Sequence, residues 1–248
     1  MQSIFSLKGK QILITGASSG IGRAVAQQCA IAGGRCLITG RDQHRLTAVL
    51  DSLAGAGHSA VCADLTDMEQ LSALVATIPK LDGVVCCAGI ADTTIFKFTD
   101  NESLARIFET NTFSVIRLIR ELTNNKTLAK ESSIVMITSI SGVRCGYIGG
   151  SLYGASKGAL EGFMKGTALE LAPRKIRINT IVPGMIETPL LEQSSISEDQ
   201  LREDMNKYPM KRYGHPEEVG YAVVYMLSDA TKWMTGTSLV IDGGYTLN

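Results

Sequence analysis

The fold is decided by Thr15-Gly16-Ala17-Ser18-Ser19-Gly20-Ile21-Gly22, a glycine-rich stretch near the start of the chain. The stretch follows an apolar run at residues 11–15, which is typical of a buried parallel strand, and it opens an amphipathic helix at residues 20–33. Glycines at such a junction let the backbone turn sharply and approach a phosphate, while the first helical amides face that anion. We interpret the stretch as a phosphate-binding turn of a βαβ unit, with an ordinary turn as the alternative.

The rest of the chain continues to alternate short β-rich runs with helical patterns. Further strands are predicted at residues 35–39, 59–62, 81–87, 133–139, 176–182 and 238–241, and helices at 42–54, 67–78, 101–129, 151–172, 190–206 and 216–228. No linker, repeat or shift in composition interrupts the alternation. The pattern favours one doubly wound α/β domain over residues 1–248, with its ligand at the carboxyl ends of the strands.

Composition excludes several classes of function. Lys plus Arg and Asp plus Glu both number 24, so the formal net charge of zero gives no electrostatic basis for binding nucleic acid or an anionic membrane. No apolar run approaches the roughly 18 residues of a membrane span, and no signal peptide is predicted. The six cysteines form no CxxC and the three histidines show no ligand spacing. We therefore expect a cytoplasmic protein with reduced thiols and no metal.

Seven motifs in order resemble the short-chain dehydrogenase/reductase family across essentially the whole chain. They are TGxxxGIG at 15–22, Ala88-Gly89, Asn111, Ser139, Tyr153-x-x-x-Lys157, Pro183-Gly184 with Thr188, and Asp242-Gly243-Gly244. The general appearance is similar to the 3-oxoacyl-carrier-protein reductase-like branch. The resemblance implies a Rossmann-type domain with a mostly or wholly parallel seven-stranded sheet. It also implies hydride transfer between a nicotinamide and a carbonyl or secondary alcohol, such as a 3-oxoacyl thioester or another small ketone.

The spacing of Tyr153 and Lys157 predicts the acid–base pair of that chemistry. Residues four apart share one face of a helix. A tyrosine pKa near 10 suits neutral pH poorly, but a nearby ammonium and the positive ring of an oxidised nicotinamide are expected to lower it. Ser139 can donate its hydroxyl to the substrate carbonyl, with Ser141 as the alternative. The resemblance implies that Asn111 holds a water linking Lys157 to solvent; a polar kink or cap in a long helix is the other interpretation.

A catalytically idle sensor of the nicotinamide cofactor is the alternative function. Such a protein is expected to have lost at least one of Ser139, Tyr153 and Lys157, and all three are present. The sequence therefore favours an enzyme.

The end of the second strand, Thr39-Gly40-Arg41-Asp42, favours NADP over NAD. Gly40 stands where NAD-preferring relatives carry an acid, and Arg41 offers a bidentate fork to a 2′-phosphate. Asp42 is the competing NAD-type acid, although it is better interpreted as a helix N-cap. The family resemblance implies that Asp64 lies beside the adenine, with a plain loop acid as the alternative. The full set of expected cofactor contacts is Gly16, Ser18, Ser19, Gly20, Ile21, Gly22, Arg41, Asp64, Leu65, Ala88, Gly89, Tyr153, Lys157, Pro183, Gly184, Ile186 and Thr188.

Two larger surfaces are also predicted. Residues 189–212 are expected to form a substrate lid, with a helix that only covers the core as the alternative. The helix at 151–172 carries Leu160, Phe163, Met164 and Leu171, too many apolar groups for a solvent-facing strip, and further apolar residues follow the last strand. Relatives associate through these regions, so we expect a homotetramer with two-fold axes.

Cys86-Cys87 departs from the family, whose members usually have Asn-Asn before Ala-Gly. We interpret the two cysteines as small buried hydrophobes, with a redox switch as the alternative.

Overall fold

The first βαβ unit extends into a single seven-stranded sheet in the computed structural model, which describes residues 3–189 and 198–247. The strands are β1 Gln11–Thr15, β2 Arg35–Gly40, β3 Ser59–Cys62, β4 Leu81–Cys86, β5 Leu128–Ile137, β6 Arg177–Pro183 and β7 Ser238–Ile241. They lie in the order β3-β2-β1-β4-β5-β6-β7, and every neighbouring pair is parallel. The predicted doubly wound, Rossmann-type fold is confirmed, and the sheet is wholly parallel.

Helices pack on both faces of this sheet. Those described are α1 Gly20–Ile31, α2 Gln43–Asp51, α3 Met68–Thr77, α4 Asn101–Phe108, α5 Ser114–Asn124, α6 Ser151–Leu171, α7 Glu198–Met205 and α8 Pro216–Leu227. Ile12 and Ile14 of β1 join the apolar layer formed with α1, α2 and α8, whereas Leu13 joins the layer formed with α3, α5 and α6. This alternation is what a strand buried on both faces requires. None of the helices in the described ranges combines the length and apolar content of a membrane span.

The boundary predicted between the long helix and the fifth strand was wrong. The helix ends at Asn124 rather than at residue 129, and β5 begins at Leu128 rather than at residue 133. Leu128 pairs with Leu81, after which the register shifts, and Glu131 adopts a positive φ of 69°. The polar residues at this irregularity interrupt the apolar run that marks the rest of β5. The sequence pattern therefore did not show where the strand begins.

A wide helical turn separates α4 from α5. Glu109–Phe113 is π-helical, and the Ser114 amide bonds the carbonyl of Glu109, five residues earlier. Asn111 lies within this turn and is completely buried. The polar break visible in the sequence is therefore a π-turn inside a continuous helix, a feature that often occurs at functional sites.

Candidate active site

The glycine loop between β1 and α1 has the backbone of a phosphate cradle. Gly16 and Gly20 have φ of +62° and +51°, which L side chains rarely adopt. A Cβ on Gly16 would lie 2.7 Å from the backbone of Ala88, and one on Gly22 would overlap the Gly16 carbonyl. The Ser19 side chain caps no amide at the start of α1. The first helical amides are therefore available to an anion, and the loop fits the diphosphate of a dinucleotide.

Thr15 ties the glycine loop to the end of β4. Its hydroxyl accepts hydrogen bonds from the amides of Cys87 at 3.2 Å and Ala88 at 3.3 Å. Sequence reasoning assigned no role to Thr15; its position as the last residue of β1 was the available signal. The contact holds the Ala88-Gly89 segment beside the cradle.

The four candidate catalytic residues come together beyond β4 and β5. Tyr153 and Lys157 lie on successive turns of α6, with the Lys157 Nζ 5.9 Å from the centre of the Tyr153 ring. The Ser139 hydroxyl, two residues beyond β5, hydrogen-bonds the Tyr153 phenol. The Lys157 Nζ donates to the Ile137 carbonyl at 3.0 Å. A Cβ on Gly89 would lie 3.2 Å from both the Lys157 Nζ and the Asn111 Oδ1, so the lack of a side chain there leaves room around both groups.

Asn111 is held by three hydrogen bonds within the protein. Its Nδ2 donates to the Ile90 carbonyl at 2.9 Å and to the Ser156 hydroxyl at 3.1 Å, and its Oδ1 accepts from the Ile90 amide at 2.8 Å. Both amide hydrogens are thus engaged. A relay water can bond only to the second lone pair of Oδ1 or to the backbone of the π-turn.

Burial dominates the protonation of the Tyr153–Lys157 pair. It raises the pKa of Tyr153 to about 12, although the hydrogen bond from Ser139 acts in the opposite direction. Burial also lowers the pKa of Lys157 to about 8, against a smaller effect of the Cys87 and Cys86 thiols. The lowered tyrosine pKa expected from the sequence is not found in the protein without its cofactor, because desolvation dominates the pKa of Tyr153. At neutral pH Tyr153 is a protonated phenol, the form that can donate a proton.

The geometry distinguishes Ser139 from its alternative, Ser141. Both residues line the cleft, but Ser139 is the one that bonds Tyr153, and its Oγ also accepts from the Ser141 amide at 3.1 Å. The Ser141 hydroxyl is buried and has no hydrogen-bond partner in the described part of the chain. A Cβ on Gly142 would overlap the carbonyl of Gly154, so the loop after β5 packs directly on the first turn of α6. That contact sets Ser139 against the tyrosine.

At the end of β2, Arg41 and Asp42 have different surroundings. Arg41 is exposed and has no ion-pair partner within residues 3–189 and 198–247. Asp42 accepts from the Arg45 amide at 3.0 Å and pairs with the Arg45 Nε at 3.1 Å. The interpretation of Asp42 as an N-cap is confirmed. A Cβ on Gly40 would meet the Ser18 Oγ at 3.4 Å, so this edge lies against the glycine loop.

The loop that follows β3 uses Asp64 for its own structure. The Asp64 Oδ1 accepts from the Thr66 amide at 2.9 Å and the Thr66 hydroxyl at 2.7 Å, which is a local Asx turn. Leu65 is buried beside it. These contacts give the loop-acid interpretation a physical basis, and they leave the contact of Asp64 with adenine a prediction.

The loop that follows β6 lies against both the glycine loop and the C-terminal segment. The Gly184 amide donates to the Ile241 carbonyl at 2.9 Å, and Ile186 forms a β-bridge with Gly214. A Cβ on Gly20 would lie 3.3 Å from the Thr188 methyl group. Thr188 therefore meets the start of α1, and Pro183, Gly184, Ile186 and Thr188 line one cleft together with Ile21. That these residues contact the cofactor stays a prediction.

A cleft of about 710 Å³ opens above these groups. Ser139 and Tyr153 lie on its wall, together with residues from four further regions of the chain, among them Cys145, Tyr147, Ile148, Met185, Leu201, Tyr208 and Tyr245. Of the predicted lid, residues 190–197 lie outside the described residues, whereas α7 and Tyr208 border the cleft. The lining of the cleft is more apolar than polar, and four of its residues are tyrosines besides Tyr153.

All six cysteines are free. Cys86 is buried in the layer beneath α5 and α6, and burial raises the pKa of the thiols of both Cys86 and Cys87. Neither thiol is activated towards oxidation by its surroundings. These properties match the interpretation of the pair as small buried hydrophobes.

Comparison with known proteins confirms the resemblance seen in the motifs. A family model described as "Enoyl-(Acyl carrier protein) reductase" matches residues 16–246. The 3-oxoacyl-[acyl-carrier-protein] reductase FabG of Rickettsia bellii is 35% identical over 97% of this chain and 98% of its own length. A cyclopentanol dehydrogenase from a Comamonas species is 33% identical over 96% of this chain and 98% of its own length.

A solved structure leads to the same family. The short-chain type dehydrogenase/reductase from Mycobacterium marinum has a TM-score of 0.90 and 34% identity to this chain, covering 99% of this chain and 98% of that one. The chain therefore belongs to the short-chain dehydrogenase/reductase family and is an NAD(P)-dependent oxidoreductase that acts on CH–OH or carbonyl groups.

Proposed function

We propose that this protein is an NADPH-dependent carbonyl reductase whose substrate is a 3-oxoacyl thioester or another small ketone. The observation that carries the proposal is the protonated Tyr153 phenol, hydrogen-bonded to Ser139 and backed by Lys157, on the wall of an apolar cleft. The names of two relatives support the substrate class. One reduces a 3-oxoacyl group on a carrier protein, and the other is a cyclopentanol dehydrogenase.

The residues present fit a nicotinamide dinucleotide. In this proposal the glycine loop from Gly16 to Gly22 holds the diphosphate, and the segment from Pro183 to Thr188 holds the nicotinamide end. The remaining parts of the dinucleotide are flanked by Ala88, Gly89, Asp64 and Leu65. When bound, the nicotinamide supplies the hydride that the carbonyl carbon accepts.

The protein's own residues move the proton. The Ser139 hydroxyl orients the substrate carbonyl towards Tyr153, and the tyrosine O–H bond breaks as the new O–H bond forms on the substrate oxygen. The ammonium of Lys157 stabilises the phenolate left on Tyr153. Asn111 holds the water through which Lys157 regains a proton from solvent, and this restores the phenol.

Arg41 is the proposed determinant for the 2′-phosphate. Its exposure and its lack of an ion pair among the described residues leave the guanidinium available to a ligand, whereas the carboxylate of Asp42 is committed to Arg45. The guanidinium would form a bidentate, charge-assisted pair with the phosphate. We therefore propose NADPH rather than NADH as the working cofactor.

We also propose that residues 189–212 act as a substrate lid over this single domain. Support comes from the described part of that segment, where Leu201 and Tyr208 border the cleft. The free cysteines suit a reducing cytoplasm, which is the proposed location.

A homotetramer remains the proposed assembly, although part of its sequence basis was wrong. Leu160, Met164 and Leu171 pack inside the chain, because α6 is buried against the sheet. Support now comes from other apolar groups at the surface, Leu169 on α6 and Trp233 before β7. Light scattering across a dilution series should give about four times 26.6 kDa, and a persistent single-chain mass at micromolar concentration would reject the proposal.

The function is tested by a panel of ketones, 3-oxoacyl thioesters and secondary alcohols, with absorbance of the reduced cofactor followed for NADPH and NADH in turn. We expect turnover of at least one carbonyl substrate with NADPH preferred. Tight binding of NADPH without turnover of any member of the panel would instead support the idle sensor.

A further inference from the structure

One buried side chain, Tyr208, connects the segment after α7 to the loop that follows β6. Its hydroxyl accepts a hydrogen bond from the Met185 amide at 3.0 Å, and the residue is only 4% exposed. Met185 lies between Gly184 and Ile186, in the loop proposed to hold the nicotinamide. Tyr208 is therefore in direct contact with the backbone that would carry the reactive end of the cofactor.

The ring of Tyr208 also packs against that loop and against the C-terminal segment. A Cβ on Gly184 would lie 3.3 Å from the ring, which shows how closely the ring covers the backbone there. Tyr245 lies at 4.7 Å between ring centroids, and Tyr213 meets the ring edge-on at 5.5 Å. The position of the ring is fixed on three sides, so the hydroxyl is presented to Met185 with little freedom.

The Met185 amide differs from its neighbours in how it is bonded. The Gly184 amide donates to the Ile241 carbonyl, and the Glu187 amide donates to the Gly214 carbonyl, both at 2.9 Å. Those bonds are between backbone groups, whereas the partner of the Met185 amide is a side chain from the segment that borders the cleft. The Met185 carbonyl accepts from the Gly214 amide at 3.0 Å, so the backbone fixes one side of this residue and the Tyr208 hydroxyl fixes the other.

We propose that Tyr208 is a positioning residue whose hydroxyl holds the Met185 amide, and with it the loop from Gly184 to Thr188, in its cofactor-binding shape. The proposal rests on the proposed function, since it needs the nicotinamide to bind at this loop. Burial raises the pKa of Tyr208 to about 12, so the hydroxyl stays uncharged throughout the working pH range.

Tyr208→Phe tests the proposal, with Tyr213→Phe as its matched control. Both changes remove one hydroxyl from neighbouring buried tyrosines. The Tyr213 hydroxyl, however, bonds the Leu201 carbonyl and the Asp204 carboxylate, each at 3.1 Å, and makes no hydrogen bond to the cofactor loop among the described residues. We expect Tyr208→Phe to weaken NADPH binding by about 5- to 50-fold, because the Met185 amide loses its buried partner, and Tyr213→Phe to change it by less than about twofold. Fluorescence titration measures both affinities. Equal affinity changes in the two variants would overturn the proposal.

Hydrogen exchange of the Met185 amide supplies a readout independent of turnover. In the wild-type protein we expect this amide to be protected and to become more protected when NADPH is added. Tyr208→Phe should accelerate its exchange and Tyr213→Phe should not. Exchange at Met185 that responds neither to NADPH nor to Tyr208→Phe would also overturn the proposal. If instead the wild type binds neither NADPH nor NADH, the proposed function fails, while the exchange data still decide whether Tyr208 holds the loop.

Discussion

The catalytic corner, formed by Ser139, Tyr153 and Lys157, and the edge of the sheet at Arg41 both lie at the carboxyl ends of strands in one sheet. The two regions are nevertheless built in opposite ways. At the corner, Ser139 bonds Tyr153, Lys157 bonds the Ile137 carbonyl, and burial shifts the pKa of both titratable groups. At the edge, Arg41 is exposed and has no ion pair among the described residues.

The difference follows from the tasks of the two regions, which are proton transfer at the corner and cofactor choice at the edge. Proton transfer requires groups whose positions and pKa values are set before the substrate arrives, which takes burial and many fixed contacts. Choice between two cofactors requires only that a charge be present where one of them has a phosphate. A substitution at the corner should therefore remove chemistry, and one at the edge should change preference while the fold and the turnover remain.

The largest effect is expected for Tyr153→Phe. The variant loses the proton donor but keeps the ring, so kcat should fall by about 10²-fold or more while NADPH affinity stays within about twofold. Steady-state kinetics and fluorescence titration measure the two quantities. Turnover close to wild type would show that another group donates the proton.

Arg41→Ala should produce the next largest change. Loss of a charge-assisted phosphate contact is expected to weaken NADPH binding by roughly 10- to 150-fold and to leave NADH affinity nearly unchanged. Arg45→Ala is the control, because it removes another exposed arginine that is engaged with Asp42. If both cofactors lose affinity equally, or if the wild type prefers NADH, Asp42 rather than Arg41 sets the choice.

The pH dependence of reduction should report on Lys157. Its lowered pKa of about 8 means that the ammonium is present below that pH and is lost above it. We expect kcat/KM for the ketone to fall by up to about tenfold per pH unit above pH 8, because the phenolate that forms on Tyr153 loses its neighbouring charge. Arg41→Ala should retain the same profile. A flat profile from pH 7 to 9.5 would contradict the role given to the lysine.

The smallest effect is expected for Asp42→Ala. Removal of the N-cap of α2 should cost about 1 kcal/mol of unfolding free energy, or a fall of roughly 2–4 °C in Tm, with no change in the ratio of NADPH to NADH affinity. Asp67→Ala removes a similar cap on α3, where the carboxylate accepts from the Glu69 and Gln70 amides, and it should cost about as much. A rise in the ratio of NADPH to NADH affinity in Asp42→Ala would show instead that Asp42 contributes to cofactor choice.

Features of the fold that depend on neighbouring residues could be predicted from the sequence, whereas features that depend on distant residues could not. The strand, glycine loop and helix from Gln11 to Ile31 were predictable because turn chemistry and apolar periodicity are local properties. The start of β5 was not, because its register shift at Glu131 depends on pairing with a strand far away in the chain.

The active site was likewise predictable from the sequence only where its residues lie close together in the chain. Tyr153 and Lys157 were recognisable from a spacing of four residues on one helix. The bonds from Thr15 to the end of β4 and from Tyr208 to Met185 join residues 72 and 23 positions apart, and no periodic pattern marks them. The raised pKa of Tyr153 also required the structure, since it results from burial by the folded chain rather than from its neighbours in sequence.

The π-turn at Glu109–Phe113 has a consequence for how deletions would be tolerated. Each residue advances an α-helix by about 100°, so a single deletion in this turn would change the helical phase of α5 relative to α4 by that angle. Either the apolar stripe of α5 that contains Leu118 would rotate off the sheet, or Asn111 would rotate away from Ile90. Orientation of the asparagine is thus set by the number of residues in the turn as well as by their identity. A one-residue deletion should consequently damage this enzyme more than most point substitutions nearby.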